Sequence, residues 1–288
     1  MPLRKTETYQ SGTDIWLEPP RGFQAATIDE TFIQSDVNNN QLLPSGAALA
    51  GVHGSDFYRW LPRAHVDTEV STSDTVVGLD NAQPFVAGDT LAIIAPSAQI
   101  NLALTWANSD TADITVDGQT VTHTVSGFTS LTALAVAIAD QINADPTLSR
   151  KVKALPEAQR IHLYALDFLS TYPIVVSEVT AGTGTIDVED SPTNLQPNRS
   201  IGAVSIVSAA STTQSITLTA NSALRLPIGM PIGDPAYKPF QGLNNSEHDL
   251  EEGTGSISTV TEGATFASRM PYWDGQLASL FRRITVLD

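Results

Sequence analysis

The chain has no cysteine. That excludes disulfides, thiolate catalysis and cysteine-ligated zinc, and it fits synthesis in a cytoplasm. Basic residues are scarce: 15 Lys and Arg stand against 31 Asp and Glu, for a net charge of −16. Coating nucleic acid needs clustered cations that displace counterions from phosphate, so this balance argues against a nucleic-acid partner. Five of the 15 basic residues stand near the ends, Arg4, Lys5 and Arg21 at one and Arg282 and Arg283 at the other. No apolar run approaches the roughly 18 residues that span a bilayer. The first ten residues hold no apolar stretch of signal-peptide type. The expectation is a soluble protein with no membrane contact and no Sec-type signal.

Catalytic signatures are missing as well. There is no Gly-x-Ser-x-Gly elbow for a nucleophilic serine. There is no Gly-Lys pair to end a phosphate-cradling loop. The histidines, His53, His65, His123, His162 and His248, never fall close enough for a helical zinc pair. His123 and His162 are expected at solvent-facing strand positions. The acidic run from Asn244 to Glu252 lacks the ligand spacing of an EF-hand. It reads as a solvated loop, as does the smaller cluster of Asp187, Glu189 and Asp190. No catalytic, cofactor-binding or metal-binding residue is assigned, and the expectation is a protein that is not an enzyme.

What is present is ordinary apolar content, 41% over 288 residues, enough for packed cores. Residues 84–94 read as a turn at Gly88-Asp89 leading into an apolar strand. The matching strand does not follow. It comes about a hundred residues later, at Ile201 to Val207, with another at Ser215 to Thr219. Loop tips tolerate insertions best, so one module set inside another is expected. Residues 98–199 carry the module. Ile100, Leu102, Leu104 and Trp106 alternate as a strand with one buried face. Asp117-Gly118 predicts a two-residue hairpin turn, because both positions must accept positive φ. Thr129 or Ser130 caps a helix whose Leu131, Leu134, Ala135, Ile138 and Ile142 share one face. Asn143-Ala144-Asp145-Pro146 ends it. Strands are expected at Ile161–Ala165, Ile174–Val176 and Ile186–Val188.

Outside the module, residues 1–40 read as an extended N-terminal arm with one apolar patch at Ile15, Trp16 and Leu17. Residues 41–97 and 200–288 together read as one discontinuous β-rich domain. Within it, 234–256 is expected to be a surface loop. Strands are expected at Ile257–Val260, at Phe266–Met270 and at the C-terminus, with a short helix at 277–281.

The module resembles one found in structural proteins of tailed bacteriophages. The residues that carry this are Asp113 to Val121, the helix Thr129 to Asn143 with its Ile142-Asn143-Ala144-Asp145-Pro146 end, and the strand Arg160 to Ala165. The flanking parts resemble a capsid decoration, or cement, protein. Leu43-Pro44-Ser45-Gly46 with Ala47 to Gly51, the strand entry at Pro84 to Ile94, Ile201 to Thr219, and Gly229-Met230-Pro231-Ile232-Gly233 carry that likeness. The chain departs from such proteins in its length and in its insert. The resemblance implies a mainly β fold with an α+β insert: a small β-barrel or sandwich interrupted by a strand–hairpin–helix–strand module. It further implies a homotrimer on the exterior of a virion capsid, the major capsid protein as partner, and an arm that grips the shell.

Contact residues expected for such a role are Ile15, Trp16 and Leu17; Phe57, Tyr58 and Trp60; and Tyr272, Trp273, Arg282 and Arg283. A tail-tube, tail-tip or baseplate protein would instead form rings. A carbohydrate-binding module would expose an aromatic platform, for which Tyr58–Trp60 and Tyr272–Trp273 are the candidate pairs.

Overall fold

The computed structural model describes residues 21–36, 38, 40–51, 57–210, 212–237, 239–244, 248–249, 255–266, 272, 277 and 284–287. The strands before the insert are β1 (Arg21–Ile28), β2 (Leu42–Leu43), β3 (Ala48–Gly51), β4 (Tyr58–Trp60), β5 (Arg63–His65), β6 (Val76–Gly78) and β7 (Thr90–Ile93). The insert holds β8 (Ser97–Ala103), β9 (Thr111–Val116), β10 (Gln119–Thr124), α1 (Leu131–Ala144), β11 (Val152–Glu157), β12 (Arg160–Ala165), β13 (Ile174–Val179) and β14 (Thr185–Val188). After it come β15 (Arg199–Ser208), β16 (Ser215–Leu218), β17 (Pro231–Gly233), β18 (Pro239–Asn244), β19 (His248–Asp249), β20 (Gly255–Phe266) and β21 (Ile284–Leu287). The protein is mainly β, as the sequence predicts.

Two sheets curl on themselves. In the first, β1 pairs with both β4 and β20, so the order β1-β4-β3-β18-β20 returns to β1. The second runs β5-β17-β7-β15-β16-β6, and the bridge Val66↔Leu79 joins its two edges. Closure removes unpaired strand edges, the usual hazard of a small sheet. Register shifts in β15, between Ser200 and Gly202 and again between Val204 and Ile206, give the bends that so small a ring needs. Leu91, Ile93, Ile201, Val204, Ile216 and Leu218 fill its core.

The cut-open strand pair is real. β7 pairs antiparallel with β15, Ile93 opposite Arg199 and Thr90 opposite Ala203. Between these partners the chain forms its own apolar cluster, every buried member of which lies between Ala98 and Leu195. A four-stranded sheet, β11-β12-β8-β14, and a three-stranded sheet, β10-β9-β13, share that cluster with α1. Local chemistry shapes it as expected. Asp117 (φ 50) and Gly118 (φ 77) close the β9–β10 hairpin. Ser130 Oγ accepts the Ala133 N–H at the helix start. Asn143 then exchanges two hydrogen bonds with the backbone of Ala154, which fastens the helix end to β11. Gln141 donates to the carbonyl of Thr122, capping the outer edge of β10.

Several expectations need correction. Residues 21–36 are not an extended arm: β1 belongs to the first ring, and Ile28 and Ile33 are buried in its core. Residues 1–20 lie outside the described residues. The loop expected at 234–256 contains β18 and β19, with Leu243 and Asn244 fully buried. Asn244 Nδ2 donates to the carbonyls of Leu43 and Pro44, so this residue of the acidic run serves the core. The strand expected at Ile257–Val260 is longer than predicted: it is β20, which serves β1, β18 and β21. Of the expected strand at 266–270, residues beyond 266 are outside the described ones, as is all of the 277–281 helix except Leu277. β8 stops at Ala103. Leu104 takes a positive φ (62) and is exposed, while Trp106 turns back into the core.

Candidate functional site

The expected contact residues divide sharply. Trp60 is 3% exposed and packs with Leu49, Ile28 and Ala26. Tyr272 is 8% exposed and lies with Leu61, Ile94 and Phe168. Both are core residues, because each closes a seam that segments distant in sequence bring together. Buried as they are, Trp60 and Tyr272 contribute no exposed ring to a sugar platform. Among the described members of the set, Phe57 is the most exposed, at 40%, and Tyr58 is half-buried. Ile15, Trp16, Leu17, Trp273, Arg282 and Arg283 lie outside the described residues.

The structure reveals a polar node that the sequence hides. Arg59 is fully buried between the two rings. Its guanidinium makes a bidentate pair with Asp89, Nη1–Oδ1 at 2.8 Å and Nη2–Oδ2 at 3.0 Å, and Nη2 also donates to the Pro84 carbonyl. The rings of Phe32 and Tyr237 lie 4.8 and 4.5 Å from its central carbon. Planarity is what the site uses: a guanidinium can fork to a carboxylate and stack between rings at once. Asp89 also accepts the Val86 N–H, holding the Gly88 turn that starts β7. Nearby, His65 pairs with Asp80 at 3.0 Å and stacks on Tyr272 with centroids 5.0 Å apart.

A second cluster lies where the insert meets the second ring. Leu155 and Tyr164 of the insert pack against the ring's core. Glu157 reaches Arg225 of the flanking chain at 3.4 Å and His162 at 3.5 Å. His162 is only 1% exposed, which corrects the expected solvent-facing position. Strand alternation correctly sets it opposite Ile161 and Leu163. The opposite face is covered by sequence-remote chain, for which alternation carries no signal. Burial pushes the imidazole's pKa down, opposed by the Glu157 carboxylate. The neighbouring His162 imidazole in turn holds the Glu157 carboxyl below its usual range, against the effect of burial. His123 behaves as expected on its half-exposed strand position, meeting the Gln141 side chain at 3.0 Å.

A cavity of about 630 Å³ opens beside the neck of the insert. Ser97, Glu189, Asp190, Ser191, Gln196 and Arg199 are among its lining. Arg199 meets Glu189 at 3.1 Å. The neck itself is the bridge Ser97↔Gln196, closed by two backbone hydrogen bonds of 2.9 and 2.8 Å. Among the described residues, no group of three or more acidic or histidine side chains is placed to hold a metal ion. No helix among them is long and apolar enough to cross a membrane.

No family model matches the chain. No curated protein matches it either. Among solved structures, a chain from Mycobacterium phage Patience aligns with 11% identity and a TM-score of 0.22, covering 72% of this chain and 95% of that one. A likeness of that size carries no argument about fold or function.

Proposed function

We propose that the chain is a phage virion structural protein that binds the outer surface of a capsid and stabilises it across capsomer boundaries. One observation carries this reading: the second ring pairs Ile93 directly with Arg199, so a module with its own core is carried by a closed β scaffold. Rings whose cores are filled by side chains, joined through a buried Arg59–Asp89 fork, make a stiff platform rather than a cleft. The sequence resemblance to decoration proteins supplies the location. The charge agrees with it, since a chain of net charge −16 is repelled by packaged nucleic acid and suits the outside of a shell.

On this reading the protein is not an enzyme and needs no cofactor. Its partners are the major capsid protein and further copies of itself, as a homotrimer. Residues 1–20, together with the region of Phe57, supply the shell contact, and the insert faces outward. A protein that binds only the assembled shell stabilises it by mass action. The test is shell melting followed by light scattering, with and without the purified chain, alongside mass photometry of the chain alone. A discrete trimer and a concentration-dependent rise in shell melting temperature support the proposal. A chain that leaves shell melting unchanged, or that polymerises into rings or tubes by itself, defeats it.

A further inference from the structure

The cavity at the neck of the insert has an unusual chemical balance. Ser97 is 1% exposed, lines the cavity, and its Oγ has no hydrogen-bond partner among the described residues. A buried hydroxyl is ordinarily paired. Gln196 uses its Nε2 on the Asn194 carbonyl at 2.9 Å, which leaves its Oε1 as an acceptor. Glu189 is met by Arg199. The carboxylate of Asp190 has no ion-pair partner among the described residues, although it borders the same space. Two carboxylates against one guanidinium leave the lining with one net negative charge. No aromatic ring lines it.

We infer that this cavity binds a cationic N–H donor, an alkylammonium or guanidinium group. Such a group carries the charge that Asp190 lacks opposite it. It also offers several N–H bonds at once, matching Asp190, the Gln196 carbonyl oxygen and the Ser97 hydroxyl. A neutral sugar would leave the Asp190 charge unmet and would find no ring to stack on. The position adds a consequence. Ser97 opens the insert and Arg199 starts the strand that returns from it, so an occupant touches both connections and fixes the insert relative to the ring. This site is independent of the capsid reading and stands or falls separately from it.

The same chemistry can come from a free amine or from a Lys or Arg side chain of a partner. The experiment is an amide-shift NMR titration of the full chain. The probes are methylguanidinium and butylammonium as free cations, and blocked Gly-Arg-Gly and Gly-Lys-Gly as side-chain donors. Tetramethylammonium, equal in charge but without N–H, is the control. The expected result is saturable shifts at Ser97, Asp190 and Gln196 with the N–H donors and none with tetramethylammonium. Asp190→Asn weakens binding by about tenfold or more, the scale of one charge-assisted hydrogen bond, while barely altering the overall charge. Ser97→Ala weakens it by a smaller factor. Tighter binding of the peptides identifies a partner side chain as the occupant, and tighter binding of the free cations identifies a small amine. Equal shifts with tetramethylammonium, or an Asp190→Asn variant that binds as well as the natural chain, overturn the inference.

Discussion

Ile93 and Arg199 are antiparallel partners in one sheet, although residues 94–198 lie between them in sequence. The Ser97↔Gln196 bridge narrows the connection to a two-stranded neck. Replacing 97–196 by a short turn should therefore leave β7 and β15 paired. The shortened chain is expected to keep a strand-type circular dichroism spectrum and to melt cooperatively, at a lower temperature because Leu155 and Tyr164 no longer cover the ring. Residues 97–196 alone are expected to fold with a helical signal from α1. Loss of all cooperative melting in the shortened chain would show that the ring depends on the insert.

Arg59 and Asp89 test how the two rings are held. Truncating one partner of a buried pair leaves the other charge stranded, at about 3–5 kcal/mol. Arg59→Ala is expected to lose that much in urea unfolding. Arg59→Lys should recover only part, because an ammonium cannot fork to Asp89 while stacking between Phe32 and Tyr237. A near-neutral Arg59→Ala would mean the fork contributes nothing.

The buried His162 makes stability depend on pH. Its folded-state pKa lies below the ordinary value of about 6.5. The unfolded chain therefore binds the proton first, and stability falls as pH drops through the ordinary value toward the lower folded one. Glu157 adds a second loss at lower pH: its carboxyl is held down in the folded state, so its contribution disappears as pH falls below the usual carboxylate range. Melting temperature is expected to drop between about pH 7.5 and pH 5.5. His162→Gln should flatten that part of the curve and also shrink the more acidic loss, because His162 is the first group that holds the Glu157 carboxyl down. An unchanged slope in the variant would contradict the assignment.

Gly184 lies against the face of Trp106. A Cβ there would come within 2.7 Å of the indole ring carbons. Overpacking of this kind costs about 1–3 kcal/mol. Gly184→Ala is expected to lower the insert's stability and to shift Trp106 fluorescence, with hydrogen exchange in the second ring little changed. Equal loosening of ring and insert would show that the two unfold together.

Much of the insert was legible because its determinants are local. Asp117-Gly118, Ser130, the apolar stripe of α1 and the Asn143 to Pro146 stop act over a few residues each. The split of β7 from β15 was legible too, since an apolar strand without a neighbour announces a distant partner. Trp60, Tyr272 and His162 were misread for the opposite reason. Each is buried by chain remote in sequence, and alternation along one strand says nothing about what covers its second face. β1 was hidden in a polar segment because ring closure with β20, not its own periodicity, makes it a strand. The Arg59 node had no sequence signal, as its partners Phe32, Asp89 and Tyr237 meet only in space. Nor did the cavity, whose lining comes from both ends of the insert.

The most direct test of the proposed role is attachment to a shell. Purified chain would be mixed with capsid shells that lack it, and the copies retained after sedimentation counted as concentration rises. The account predicts saturation at a fixed number of copies per capsomer, and loss of attachment when residues 1–20 are removed from a chain that still folds. Absence of retained chain at any concentration would contradict it.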